Sequence, residues 1–182
     1  MAVRTRSTGQ NTTATTSHLV TISGQQVGDR LIVGFAVDTA VTVSTSSTGW
    51  SEVGPEVSEG TNHTAAVFTK VATGSDNLTI TTSASQESGW IVYVMVGDNG
   101  TPVASSNTGG SATTGTVAAI TGQPSGDYDS VIFLSLDDNT NVAHTVTPPA
   151  NYSNLTSAIG APGQVLTWAM NSATLTGVTG AS

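Results

Sequence analysis

The chain has 182 residues, of which 37% are hydrophobic and only 9% charged, with 20 glycines and abundant Thr and Ser. Twelve acidic groups against four basic ones give a net charge of -8, so the chain cannot assemble the basic patch that nucleic acid or an anionic membrane surface requires. It contains no cysteine, which excludes disulfides, thiolate metal sites and cysteine nucleophiles.

Composition and periodicity both favour an all-β fold. Thr is common in strands, Ser and Gly are common in turns, and no long stretch shows helical periodicity. The N-terminal segment lacks the apolar region of a signal peptide, and the longest apolar run, residues 90–96, is too short to cross a membrane as a helix. In chain order, strands are predicted at residues 18–22, 30–37, 40–44, 64–71, 78–82, 89–97, 116–121, 131–136, 143–147, 165–170 and 173–178.

Two segments stand out as strands buried on both faces. Residues 28–38 and residues 126–138 each begin with Gly-Asp, continue as an apolar run and end in acidic residues. Short apolar runs of this kind, bounded by turn residues, are typical of strands in the middle of a sandwich. Each is therefore predicted to lie at the centre of one half of the fold.

The second half of the sequence repeats features of the first at an offset of about 98 residues. We predict one antiparallel β-sandwich domain, jelly-roll-like, over residues 17–182, with pseudo-repeat halves at about 17–100 and 116–182. Two small sandwiches in tandem are the alternative, although each would have a thin core. Residues 101–115 are predicted to connect the halves.

Residues 1–16 are predicted to form an extended N-terminal arm. The arm is mostly Thr, Ser, Asn and Gln around Arg4 and Arg6. It is either a frayed terminus or a segment that becomes ordered against a neighbouring subunit. In the second case Arg4 and Arg6 are candidate partner contacts.

The best candidate ligand site is the acidic loop after residue 50. Trp50 follows a turn, where its indole could stack on a sugar, and Glu52 and Glu56 could supply carboxylates. The alternatives are that Trp50 belongs to the core and that the loop, which also contains Glu59, keeps a weakly charged protein soluble. No nucleophile elbow, phosphate-binding loop or dinucleotide motif is present, so the chain is predicted not to be an enzyme.

No metal or cofactor is expected. His18, His63 and His144 are isolated in the sequence, so a zinc site is disfavoured. Calcium could bind the acidic run that starts at Asp137, but turn-forming residues at the end of a strand explain that run as well.

One succession of motifs resembles β-sandwich modules in virion proteins of tailed bacteriophages, such as capsid decoration or cement proteins and modules of heads and tails. The motifs are Gly28-Asp29 before a buried strand, Gly49-Trp50 after a turn, Ala66-Val67-Phe68-Thr69-Lys70-Val71-Ala72-Thr73-Gly74, and Leu78-Thr79-Ile80-Thr81. The resemblance covers residues 19 to about 100, with a looser echo to the end.

This resemblance implies a structural virion protein that binds the major capsid protein on the outer capsid surface and is made in the host cytoplasm. It also implies self-association, with a homotrimer favoured because capsids have three-fold positions. The alternative function is a carbohydrate- or receptor-binding module of a phage tail or a cell surface.

Overall fold

In the computed structural model, the described part of the chain is all-β and antiparallel and contains no helix. The structure describes residues 2–96, 100, 102–103, 126–128, 130–137, 146–148, 150, 152–159, 165–172 and 175–178. The strands are β1 Ala2–Val20, β2 Arg30–Asp38, β3 Val43–Thr45, β4 Ser51–Glu52, β5 Val57–Glu59, β6 His63–Val71, β7 Leu78–Val96, β8 Gly126–Tyr128, β9 Val131–Asp137, β10 Tyr152–Ile159, β11 Val165–Ser172 and β12 Leu175–Val178. They form a seven-stranded sheet in the order β1-β7-β2-β6-β4, in which β3 also pairs with β7 and β5 with β6, a three-stranded sheet β10-β11-β9, and a two-stranded sheet β12-β8.

Strand β7 organises the large sheet. It is 19 residues long and pairs with β1 along most of its length. On its other side it pairs first with β3, where Ser44 lies opposite Thr81, and later with β2, where Phe35 lies opposite Trp90. The first part of β7 therefore pairs with β3 and its second part with β2, so this single strand connects the two regions of the sheet.

The main core contains side chains from both parts of β7. Alternate residues of β2 are buried in it, because successive side chains of a strand point to opposite faces of the sheet. Side chains from the first part of β7 and from the end of β1 belong to the same cluster, so the sheet encloses this core from two sides. The cluster includes Val20, Leu31, Val33, Phe35, Val37, Trp50, Phe68, Leu78, Ile80, Trp90 and Val92.

The opposite face of β2 and β7 holds a second, smaller core. Ile91, Tyr93 and Met95 are buried there, and Phe133 of β9 packs against them. The three-stranded sheet lies over this face, with β11 near β7 and β2. At the point of closest approach, the Phe133 ring occupies the space that a Cβ atom on Gly34 would need. This packing explains why β2 and the second part of β7 are apolar on both faces.

A buried ion pair closes the turn between β6 and β7. Lys70 Nζ lies 2.8 Å from Asp76 Oδ1, and their side chains are 11% and 0% exposed. Burial alone raises the pKa of Asp76, but hydrogen bonds from Lys70, Thr73 and the Gly74 N–H outweigh it and lower that pKa to about 2.

The all-β prediction and the strands at residues 30–37, 64–71 and 131–136 are confirmed. The second of the two strands predicted to be central and buried on both faces is not so: β9 lies at the edge of its sheet, and only Ile132 is buried among residues 131–135. The predicted strands 78–82 and 89–97 are instead parts of the single strand β7. Strands β4, β5, β8 and β10 were not predicted. Most of the connector 101–115, the strand 116–121 and the first part of the strand 143–147 lie outside the described residues.

The predicted arm differs in one respect. Its described residues, 2–16, are extended, but they pair with β7 of the same chain and continue into residues 17–20 without a break. Side chains from Thr5 to Asn11 alternate between half-buried and exposed. Because nearly all of them are polar, this alternation leaves no trace in the hydropathy of the sequence.

Candidate functional site

The acidic loop lies along the outer side of β6. Strands β4 and β5 both pair with β6 and bring Glu52 and Glu59 to this edge. A turn precedes the loop, and in this turn the Trp50 N–H donates a hydrogen bond to the Ser47 carbonyl at 3.2 Å. Gly49 has φ 78 in this turn, a conformation that favours glycine.

Trp50 lies in the core and not at a ligand-facing surface. Its side chain is 8% exposed and belongs to the main hydrophobic cluster. Its indole Nε1 is buried and has no hydrogen-bond acceptor among the described residues. The structure therefore favours the core alternative for Trp50, since stacking on a sugar requires an exposed ring face.

The two predicted glutamates occupy different environments. The Glu56 carboxylate accepts a 2.7 Å hydrogen bond from the Val43 N–H, which fixes the start of β3. Glu52 is exposed, yet partial burial of its carboxyl group raises its pKa, and the nearby charge of Glu56 raises it further. Glu56 is therefore held by the fold, whereas Glu52 is exposed and accepts a hydrogen bond from the Glu56 N–H.

Glu52 lines a cavity of about 270 Å³. The other described lining residues are neutral: Ser51, Val53, Gly54, Thr69, Pro102 and Val103. The Thr69 hydroxyl is already bound to the Leu31 carbonyl at 2.9 Å. Among the described residues the cavity thus has one carboxylate, whereas a glycosidase requires two carboxyl groups across the scissile bond.

Arg4 anchors the first strand to the rest of the fold. Its Nε and Nη2 atoms donate to the two carboxylate oxygens of Asp29 at 2.7 and 3.0 Å. The Gln26 N–H donates to the same carboxylate at 2.7 Å. Hydrogen bonding from Arg4 lowers the pKa of Asp29 despite the burial of that group. Arg6 has an exposed side chain and lies opposite Tyr93 in the sheet.

The fold brings together a histidine and a serine that are far apart in the sequence. His63 Nε2 lies 2.6 Å from Ser135 Oγ, so this contact links β6 to β9. Burial lowers the pKa of His63 to about 4, which keeps the ring neutral near pH 7. A nucleophile and base pair has this arrangement, but the base then needs a third group to orient it. His63 Nδ1 has no hydrogen-bond partner among the described residues, and the contact with Ser135 joins the two sheets.

His18 is the second buried histidine. Its Nδ1 atom lies 3.0 Å from Asn11 Nδ2 and 2.8 Å from Ser88 Oγ. An amide nitrogen can only donate, so Nδ1 accepts and Nε2 carries the proton towards Thr82 Oγ1 at 3.2 Å. Burial lowers the pKa of His18. The neutral ring holds β1 to β7 where their register shifts.

No local motif could have revealed these histidine contacts. Residues 63 and 135 are 72 positions apart, and His18 and Ser88 are 70 apart. Within the described residues, no group of three or more His, Cys, Asp or Glu side chains could hold a metal ion. Asp138 and Asn139 of the possible calcium run lie outside the described residues.

Comparison with known proteins found no family model, no curated protein and no solved structure that matches the chain. The part of the chain that the structure describes has no helix with the length and apolarity that a membrane span requires.

Proposed function

We propose that the protein is a non-enzymatic structural virion protein that coats the outer surface of a phage capsid. Its partner is the major capsid protein, it acts as a homo-oligomer, and it is made in the host cytoplasm. Three-fold symmetry is what the resemblance to decoration proteins implies for the oligomer.

The observation that carries this proposal is an uncharged face on the outside of the sheet, where β3, the first part of β7 and the end of β1 lie side by side. Ser17, Thr81 and Ser44 are opposite one another across these three strands, with Leu19 and Thr79 in the adjacent row. Leu19 is 55% exposed. We call these five residues the hydroxyl face.

The hydroxyl face suits contact with a protein shell. Its residues carry no charge, although the whole chain has a net charge of -8. Placing this face against a partner desolvates hydroxyl groups and one Leu side chain but no carboxylate, which is far less costly than burying a charge. Many acidic copies can therefore approach one shell without burying like charges between them and the shell.

The finer prediction for the fold also belongs to this proposal. We propose a jelly-roll-like sandwich with an internal pseudo-repeat. In the small sheet, β11 lies between β10 and β9. In the large sheet, β6 lies in a similar way between β2 on one side and β4 and β5 on the other. Leu134 lies opposite Trp168 in one pair, as Val33 lies opposite Phe68 in the other. The parallel fails for β12, which pairs with β8.

Co-sedimentation with capsids tests the proposed function. The capsids are those encoded in the same genome, prepared without their outer decoration. We expect the purified chain to sediment with them and the Thr81→Glu variant to bind roughly tenfold or more weakly, because the new carboxylate must be desolvated at the contact. Val27→Glu is the matched control, since Val27 is 77% exposed and lies outside the hydroxyl face.

The possible outcomes test the coat function and the proposed contact surface separately. A chain that stays in the supernatant with every capsid preparation contradicts the coat function. A chain that binds, but equally well as Thr81→Glu and Val27→Glu, has a different contact surface.

A second candidate is a carbohydrate- or receptor-binding module that uses the cavity beside Glu52. The cavity combines a carboxylate with the Ser51 hydroxyl, and both can bind sugar hydroxyls. A glycan array tests this candidate. Hits that disappear in Glu52→Gln would support it, and an array without hits would remove it.

A further inference from the structure

Strand β1 forms one edge of the seven-stranded sheet. It is 19 residues long and pairs with β7 on one side. On its other side, no strand among the described residues pairs with it. An edge strand presents a row of backbone N–H and C=O groups that can pair with another strand.

This edge lacks the features that usually prevent such pairing. Residues 7–17 contain no proline and no charged residue, whereas natural edge strands are commonly protected by Lys, Pro or bulges. Three register shifts do occur, but one lies before Thr5 and the other two lie beyond Asn11. From Thr5 to Asn11 the pairing with β7 is regular, and the side chains of Thr8 and Gln10 are exposed. Residues 5–11 therefore form the regular part of the edge, and Arg6 is the one charged residue among them.

The absence of carboxylates from β1 permits a second copy of the chain as the occupant. The chain contains 12 acidic residues, and none of them lies in β1. Two copies that meet through β1 thus avoid direct contact between carboxylates. An antiparallel pairing of one strand with its own copy is self-complementary, which a two-fold axis requires.

The opposite edge of the sheet is poorly suited to an assembly in which copies form a closed ring by sheet extension. It consists of β4 and β5, which have two and three residues. A closed trimer built by sheet extension would have to pair β1 of one copy with this edge of the next. So short an edge offers few backbone hydrogen bonds.

We propose that β1 pairs antiparallel with β1 of a second copy over residues 5–11, with the two-fold axis near Thr8. The two large sheets then form one continuous sheet across a dimer. This inference does not rest on the coat function, and it replaces the three-fold assembly implied by the resemblance with an even-numbered one.

Cysteine cross-linking tests the interface directly, because the chain has no cysteine of its own. With the axis near Thr8, the side chains of Thr8→Cys from the two copies lie opposite each other at a spacing close to that of a disulfide. In Gln10→Cys the two sulfurs are offset by about four residues, or roughly 13 Å. We expect rapid disulfide dimers for Thr8→Cys, few for Gln10→Cys and few for the control Ser44→Cys, which is exposed on the hydroxyl face.

Sedimentation supplies the second measurement. We expect the unmodified chain to have twice its monomer mass of 18.3 kDa. Thr8→Lys should weaken the dimer roughly tenfold or more, since it places like charges across the axis, while its melting temperature when monomeric stays unchanged. Ser44→Lys is the matched control and should remain dimeric.

A monomer or a trimer at micromolar concentrations overturns the inference. So does a dimer in which Thr8→Cys cross-links no faster than Ser44→Cys. A chain that dimerises through β1 but ignores capsids leaves this inference standing and removes the proposed function.

Discussion

Phe35 shows how tightly the main core constrains single residues. Its side chain is 2% exposed, and the His18 ring packs edge-on against it at 5.1 Å between ring centroids. We expect Phe35→Asp to abolish folding, because a buried carboxylate costs several kcal/mol on top of the lost packing. Circular dichroism and thermal melting check this, with Phe35→Leu as the folded control. A soluble Phe35→Asp variant that melts cooperatively would show that the core is misplaced.

His63 makes the stability of the fold depend on pH. Burial lowers its pKa from 6.5 to about 4, so between these values the unfolded chain binds a proton that the folded chain does not. Its contribution to stability is complete above pH 6.5 and falls as the pH drops towards 4. The loss amounts to roughly 3 kcal/mol.

Urea unfolding as a function of pH measures this effect. The His63→Gln variant retains an amide near Ser135 and should lose stability less steeply between pH 6.5 and 4. His18 contributes to the same slope, because burial lowers its pKa as well. The comparison with His63→Gln therefore isolates one histidine, and identical slopes would mean that His63 is protonated without penalty.

At the scale of the elements, Gly34 and Phe133 couple the two sheets. A Cβ atom on Gly34 would collide with the Phe133 ring. We expect Gly34→Ala to cost about 1–3 kcal/mol through overpacking. In the background of Phe133→Leu, which removes most of the collision, the same change should cost less. Denaturant melts of both single variants and the double variant give the coupling, and simple additivity would mean that β9 does not pack on β2.

The Arg4–Asp29 ion pair holds the start of β1 against the turn before β2. Removing either partner frees the start of β1 from the turn before β2. We expect Arg4→Gln and Asp29→Asn each to accelerate hydrogen exchange at the amides of residues 2–7. The double variant should exchange no faster than the more affected single variant. Exchange rates that multiply in the double variant would show that the two side chains act independently.

The strands show which elements the sequence could predict. Residues 30–37 and 64–71 were predictable because their apolar side chains are buried. Residues 83–85 of β7 are exposed, as are residues 12–14 of β1. Both segments lie where the register of the two strands shifts, and their polar side chains give little hydrophobic signal, so one long strand was predicted as two and the first part of β1 as an arm.

For the whole molecule, net charge opposes association. Two copies with a charge of -8 each repel one another, while the proposed β1 contact depends on backbone hydrogen bonds. We therefore expect the dimer to tighten as NaCl rises from about 0.01 M to about 1 M, where the Debye length falls from roughly 30 to 3 Å. Sedimentation across this series is the measurement. Weaker association at high salt would indicate a contact between opposite charges.

The candidate site was only partly predictable. The sequence located Glu52 and Glu56 in one acidic loop, but only the structure separates the exposed Glu52 from Glu56, which binds the Val43 N–H. For Trp50 the sequence favoured the core and left ligand stacking as the alternative, because a residue after a turn can face either way. Its position beside β4 decided for the core.

The sequence by itself determined the all-β class, the acidic character and the burial of β2 on both faces. These properties follow from composition and short-range periodicity, which require no knowledge of neighbours. Only the tertiary structure decided that residues 2–16 join the sheet, that His63 meets Ser135 and that Arg4 binds Asp29. Each of these depends on strand pairing or packing between residues far apart in the chain, and polar side chains leave no periodic trace of such partners.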